Sequence, residues 1–172
     1  MTKHMAIVKI KYTKSRGAAK ASVRYITHRP GKDGAKASRP IYGIDGEVTK
    51  TDAYLMIDQS GRGASFFRIV ISPDPDKEDT SKDLYLAQIT EQTILTLEDR
   101  LDAHVPFIAV EHNDHTDHRH VHVLACVTGR LDPKDFQALR ATATAASLLQ
   151  RQERDQVLQA NLRAAQEVQW AF

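Results

Sequence analysis

The chain opens with MAIVKIKYT, in which Val8, Ile10 and Tyr12 share one face of a strand while Lys9 and Lys11 take the other. SRGAAKASVRYITHR suits a short helix, with Ser15 or Gly17 near its start and Pro30-Gly31 as its stop. The Gly/Pro/Lys-rich PGKDGAKASRP that follows is a loop. SFFRIVIS is aromatic and β-branched, a strand ended by SPDPD. From Ser81 to Leu101, Leu84, Leu86, Ile89, Ile94, Leu95, Leu97 and Leu101 recur mostly at helical spacing and predict a helix. VPFIAVEH and RHVHVLACV then read as two strands flanking a histidine-rich turn. Beyond Asp132-Pro133 the chain is rich in Ala, Leu, Gln and Arg with no Gly or Pro, which predicts one or two helices. The order β, α, loop, β, α, β, β, then helices gives an α+β domain: a central, mainly antiparallel sheet with flanking helices and a helical C-terminus. Residues 1–145 are expected to form the main body and 146–172 a helical extension of the same domain.

Composition narrows this picture. A length of 172 residues, 41% apolar, fits one globular domain. No stretch approaches the ~18 consecutive apolar residues of a membrane span, and the N-terminus lacks the apolar core of a secretory signal. The single cysteine, Cys126, excludes an internal disulfide framework and sits in an apolar run, as a small buried hydrophobe would. The expected home is the cytoplasm. Net charge is only +2, yet residues 1–50 carry twelve Lys or Arg against three acids, a balance of +9, and the remainder twelve against nineteen, a balance of −7. A basic first third suggests a polyanionic partner.

The candidate chemistry lies in HNDHTDHRHVHV, where five of the eight histidines fall within the eleven residues from His112 to His122. Side chains two apart on a strand point the same way, so His120 and His122 project together, with Leu124 and Cys126 further along, while Val121, Val123 and Val127 take the face that packs on helices. His112 ends the neighbouring strand and is placed to meet that pair; His118, of the same parity, is a substitute ligand. Three imidazoles converging from two strands make a divalent-metal site with open positions. His115 reads as a solvated turn residue. Glu111 or Asp114 is the candidate to take the second ring N–H of a ligating imidazole and so fix its tautomer.

These residues resemble the relaxases, the mobilisation nucleases of the HUH endonuclease superfamily, whose two histidines around a hydrophobic residue correspond to His120-Val121-His122. The resemblance runs through YITHRPGKDGAKASRPIYGIDG, FRIVISPD, AVEHNDHTDHRHVHVLACVTGR and LDPKDFQ, most of the chain up to about Gln150. It departs from many members at Arg119, where proline is usual before the HxH, and in the extra His115. It implies a relaxase-like nuclease domain that nicks and rejoins single-stranded DNA at an origin of transfer, initiating conjugative transfer or mobilisation. A tyrosine attacks a phosphodiester, leaving a free 3′-hydroxyl and a 5′-phosphotyrosine link. A tyrosine hydroxyl, with a pKa near ~10, is a weak nucleophile until a base or positive charge activates it. The metal grips and polarises the phosphate. Mn or Mg is the expected ion, with Zn, Ni and Co admitted by imidazole softness.

Tyr25, in VRYITHR, matches the family's early tyrosine and is the implied nucleophile; Tyr42, after the basic loop, is the runner-up. Ser72, in ISPD, matches a motif associated with DNA near the scissile site. Lys14, Arg16, Lys20, Arg24, Arg29, Lys32, Lys36 and Arg39 are candidate phosphate contacts. Accessory DNA-binding and coupling proteins are implied partners. Rival readings are a rolling-circle replication initiator, favoured by a second tyrosine three or four residues from the first, which Tyr25 lacks; a hydrolase using metal-bound water; and a non-catalytic DNA-binding accessory factor.

Overall fold

The structure, a computed structural model, describes residues 5–31, 33–114 and 116–170. Strands β1 (Ile7–Thr13), β2 (Ile41–Gly43), β3 (Gly46–Val48), β4 (Ser65–Ser72), β5 (Phe107–His112) and β6 (His120–Val127) form one sheet in the order β1-β4-β6-β5-β2-β3. Every neighbouring pair is antiparallel. Helices α1 (Arg16–His28), α2 (Lys50–Gln59), α3 (Leu86–Leu101) and α4 (Pro133–Trp170) flank it. The expected α+β class, with a mainly antiparallel sheet and a helical C-terminus, is the architecture found.

Period-two burial divides the sheet into two faces. Val8, Phe67, Ile69, Ile71, Ala109, Val121, Val123, Ala125 and Val127 pack against α3 and α4 through Ile89, Ile94, Leu97, Leu139 and Ala143. Phe66, Ile108, Val110, Leu124 and Cys126 pack instead against Ala19, Val23 and Ile26 of α1 and Ala53 and Ile57 of α2. Cys126 is buried, as its apolar setting predicts, and that burial raises its thiol pKa. No helix among the described residues is long and apolar enough to cross a membrane.

Three elements between residues 41 and 59 add to the order read from hydrophobic spacing. β2 and β3 are too short to show a period, joined by a turn that ends at Gly46 with φ of 111°. α2 is announced by its capping box, the Thr49 hydroxyl accepting from Asp52 N–H and the Asp52 carboxylate from Thr49 N–H. The third helix begins at Leu86 rather than Ser81. Lys82 has φ of 53°, outside the helical region, and the Asp79 carboxylate accepts Leu84 N–H, which holds the preceding segment as a separate turn. α4 runs unbroken through residue 145. It is buried at intervals as far as Arg151, and residues 152–170 are exposed except for the half-buried Arg154.

Candidate functional site

The end of β5 and the start of β6 lie side by side, with His112 opposite His120 and Val110 opposite His122. Residues opposite on paired strands share a face, so all three histidines project toward the α1/α2 side. Their ring centroids are 5.2 Å (His112–His120), 4.5 Å (His112–His122) and 5.0 Å (His120–His122) apart. One ring nitrogen from each lies within 4.8 Å of the others. His112 is fully buried and the other two are half-buried, so the cluster has a dry floor and an open side.

Two of the three rings are oriented by backbone carbonyls. His112 Nε2 lies 2.6 Å from the Ile26 carbonyl, and His120 Nδ1 lies 3.0 Å from the His118 carbonyl. A carbonyl oxygen only accepts, so each of these nitrogens carries the proton, and the neutral ring has its lone pair on the other one: Nδ1 of His112 and Nε2 of His120. Such an outer partner orients a metal-binding imidazole. The donor set therefore fits a divalent ion of borderline softness with open coordination positions. The Ile26 carbonyl belongs to the last turn of α1, where carbonyls lack helical partners and the helix dipole is negative, a setting that favours a cation.

These contacts revise several expected roles. Glu111 does not serve the imidazoles, because one residue of register puts it on the opposite face from His112, in a cavity of about 580 Å³ with Tyr42, Tyr85 and Glu91. Burial raises its carboxyl pKa, partly offset by Arg119. Asp114 is gripped by Arg39, whose Nε and Nη2 reach its carboxylate at 2.8–3.2 Å. Arg39 in turn is not an open phosphate contact. It is buried, it donates to the Arg29 carbonyl at 2.8 Å, and its own N–H reaches the Thr27 carbonyl, so it ties the end of α1 to the β5–β6 turn. His118 enters the cluster through its carbonyl; the histidines brought together among the described residues are 112, 120 and 122. His115 and Lys32 lie outside the described residues.

Tyr25 is 56% exposed on α1, one residue before the carbonyl that orients His112, and the Arg29 guanidinium sits 5.8 Å from its ring centroid. It lines a groove of about 510 Å³ together with Ala18, Ala21 and Ser22 of α1 and with His122, Val70, Arg68, Lys11 and Lys9 of the sheet. Tyr25 and His122, one member of the imidazole cluster, thus open into one space. Tyr42 does not share it: Tyr42 pairs with Ala109, packs against the α3/α4 core, and has a buried hydroxyl whose pKa is raised by burial. Ser72 falls two residues beyond Val70, the partner of His122, and so lies on the histidine face, its hydroxyl donating to the Arg119 carbonyl at 3.3 Å.

Of the other predicted cations, Arg16 donates to the Ile57 and Ser60 carbonyls and Lys20 pairs with Asp58 at 2.7 Å, so both fasten α1 to the end of α2 instead of facing the groove. Lys14, Arg24 and Lys36 are exposed. The groove-lining Lys9, Lys11 and Arg68 were not among the expected contacts. Their signal was present in β1, where the two lysines alternate with apolar residues, and in β4, where Arg68 interrupts a run of buried ones. Comparison with family models, with curated proteins and with solved structures returns no match to this chain.

Proposed function

We propose that the chain is a relaxase-like, metal-dependent transesterase that nicks and rejoins single-stranded DNA, with His112, His120 and His122 as metal ligands and Tyr25 as nucleophile. The observation that carries this reading is the shared groove: the exposed Tyr25 ring and His122, a member of the imidazole cluster, line the same cavity. When bound, a divalent ion supplies Lewis-acid polarisation of the reacting phosphate and offsets charge developing on its oxygens.

The chain's own groups do the rest. α1 presents the Tyr25 hydroxyl at the lip of the groove while its next residue holds the His112 ring, so a single rigid helix sets both. The tyrosine oxygen forms a bond to phosphorus as the bond from phosphorus to the 3′-oxygen breaks; the phenol proton leaves and the 3′-oxygen acquires one. Arg29 places a positive charge beside the Tyr25 ring, which favours the phenoxide that attacks. The phosphotyrosine ester keeps the bond energy, so the reverse step with a 3′-hydroxyl reseals the strand.

The test is a denaturing gel of protein incubated with end-labelled single-stranded oligonucleotides from the element that encodes it, with Mn²⁺ or Mg²⁺. A metal-dependent covalent adduct absent in Tyr25→Phe and in His120→Ala is the expected result. Cleavage with no adduct would instead assign the chemistry to metal-bound water. Binding without cleavage, on DNA containing the nick site, would leave a non-catalytic accessory factor.

A further inference from the structure

Beside the histidines, the sheet carries a cluster of positive charge that its fold does not use. Lys9, Val70, His122 and Val110 stand in one cross-strand row over β1, β4, β6 and β5, and Lys11, Arg68, Leu124 and Ile108 in the next. The inner half of each row is covered by α1 and α2, whereas Lys9, Lys11 and Arg68 are exposed at the outer half. Lys11 and Arg68 are directly opposite in register, an arrangement in which like charges destabilise a strand pair. None of the three has a carboxylate partner among the described residues. The neighbouring wall of α1 is built from Ala18, Ala21 and Ser22, whose small side chains keep the channel open as far as His122.

We infer that Lys9, Lys11 and Arg68 form a phosphate track that carries the DNA backbone flanking the reacting phosphate over the β1–β4 edge and up to His122. This rests on the nickase reading for the identity of the polyanion. The track explains why the sheet tolerates an unpaired cross-strand repulsion: a bound strand supplies the missing counter-charge. Two cations on one face of β1 are about 7 Å apart, set by strand geometry, so the track is rigid where loop lysines would not be. The single-stranded form follows from the nickase reading, and the groove it would enter is walled on one side by α1.

Binding of a fluorescein-labelled, mixed-sequence single-stranded oligonucleotide, measured by anisotropy over a range of salt, tests this directly. Each of Lys9→Gln, Lys11→Gln and Arg68→Gln is expected to reduce the slope of log K against log salt by about 0.7, and the triple variant by about 2. Lys20→Gln, on the far side of α1, keeps the wild-type slope. Lys11→Glu is the folding control: it faces Arg68 as an ion pair, so its melting temperature holds or rises while binding weakens. A triple variant with wild-type slope and affinity would overturn the track, as would tighter binding to a duplex of the same sequence. The two readings fail separately: loss of the slope effect with adduct formation intact sinks only the track, and an intact slope effect with no adduct from the cognate element sinks only the nickase.

Discussion

The α3/α4 face of the sheet and the α1/α2 face are made by alternate residues of the same strands, yet they carry different side chains. On the first, β6 contributes Val121, Val123, Ala125 and Val127, every one buried. On the second it contributes His120, His122, Leu124 and Cys126, and only the last two reach the core. The difference follows coverage. α3 and α4 close over their face, whereas α1 and α2 cover the β5–β6 half of theirs and leave the β1–β4 edge and the strand ends open. A residue there is not needed for burial, and that is where Lys9, Lys11 and Arg68 are found, with the half-buried His120 and His122 at the border and Tyr25 on the α1 wall beside it. The larger core and the candidate site thus lie on opposite sides of one sheet.

Leu97→Ala breaks this comparison most severely. Leu97 is fully buried among the α3/α4 contacts, and its truncation is expected to cost about 2–5 kcal/mol through lost burial and the cavity left behind. Chemical denaturation measures the loss. If the faces are as separate as the packing indicates, the folded fraction of this variant binds Mn²⁺ with unchanged affinity, and a matching drop in metal affinity would show the faces to be coupled.

Glu78 comes next. It is completely buried in the turn between β4 and α3, with one carboxylate oxygen accepting Asp74 N–H at 2.7 Å. Burial pushes its pKa from 4.5 up to about 7. The folded state therefore holds this proton more tightly than the unfolded chain does. The stabilisation is complete below the unfolded value and is lost as pH rises through the folded one. Near pH 8, where the buried carboxylate is ionised, Glu78→Gln is expected to gain up to about 3 kcal/mol, and near pH 4 almost nothing. Denaturation curves at the two pH values check the sign; an equal effect at both would mean that the carboxyl does not titrate across this window.

How far the sequence could be read tracks the same division. The covered face was legible, because burial on both sides of β6 and the leucine spacing of α3 are imposed by the core. The histidine row was legible from parity alone, since residues 120 and 122 must share a face and a strand ending in His112 could lie beside them. The orienting groups were not: they are the carbonyls of Ile26 and His118, and backbone groups carry no sequence signature. Glu111 was placed one residue off the face it needed. The cations were misread for a related reason. Clustering in the chain pointed to Arg16, Lys20 and Arg39, but a helix distributes its residues around an axis and turned the first two toward α2, while Arg39, in the segment between α1 and β2, turned into the β5–β6 turn. Lys9 and Lys11, spaced by two on a strand, could only point together.

Metal binding sharpens the comparison from the open side. A ligand that binds only the folded state adds RT ln(1 + [L]/Kd), about 2.7 kcal/mol at a hundredfold excess over Kd. Mn²⁺ or Zn²⁺ should therefore raise the melting temperature of the wild-type chain, and His122→Ala should remove most of that rise. Ser72→Ala should keep it, since its hydroxyl lies against the Arg119 carbonyl. An unchanged metal response in His122→Ala would move the site away from the triad. Because each imidazole must be deprotonated to bind, the response should also shrink as pH falls below the ordinary histidine range near ~6.5.

The smallest effect concerns α1, whose two sides repeat the contrast on the scale of one helix. Tyr25 faces the groove, while Lys20 reaches Asp58 on α2 at 2.7 Å, with both side chains partly exposed. An ion pair so placed contributes about 0.2–1 kcal/mol and is screened by salt. Lys20→Ala should therefore lower stability by roughly that amount at low ionic strength and by less at high, without changing adduct formation or the salt slope of DNA binding. A larger loss confined to activity would mean that the tilt of α1, fixed at one end by Lys20 and at the other by the Ile26 carbonyl on His112, sets where Tyr25 meets the phosphate. In that event the fastening contacts of Arg16 and Lys20 would be positioning residues for the nucleophile, acting through the helix and never touching the DNA.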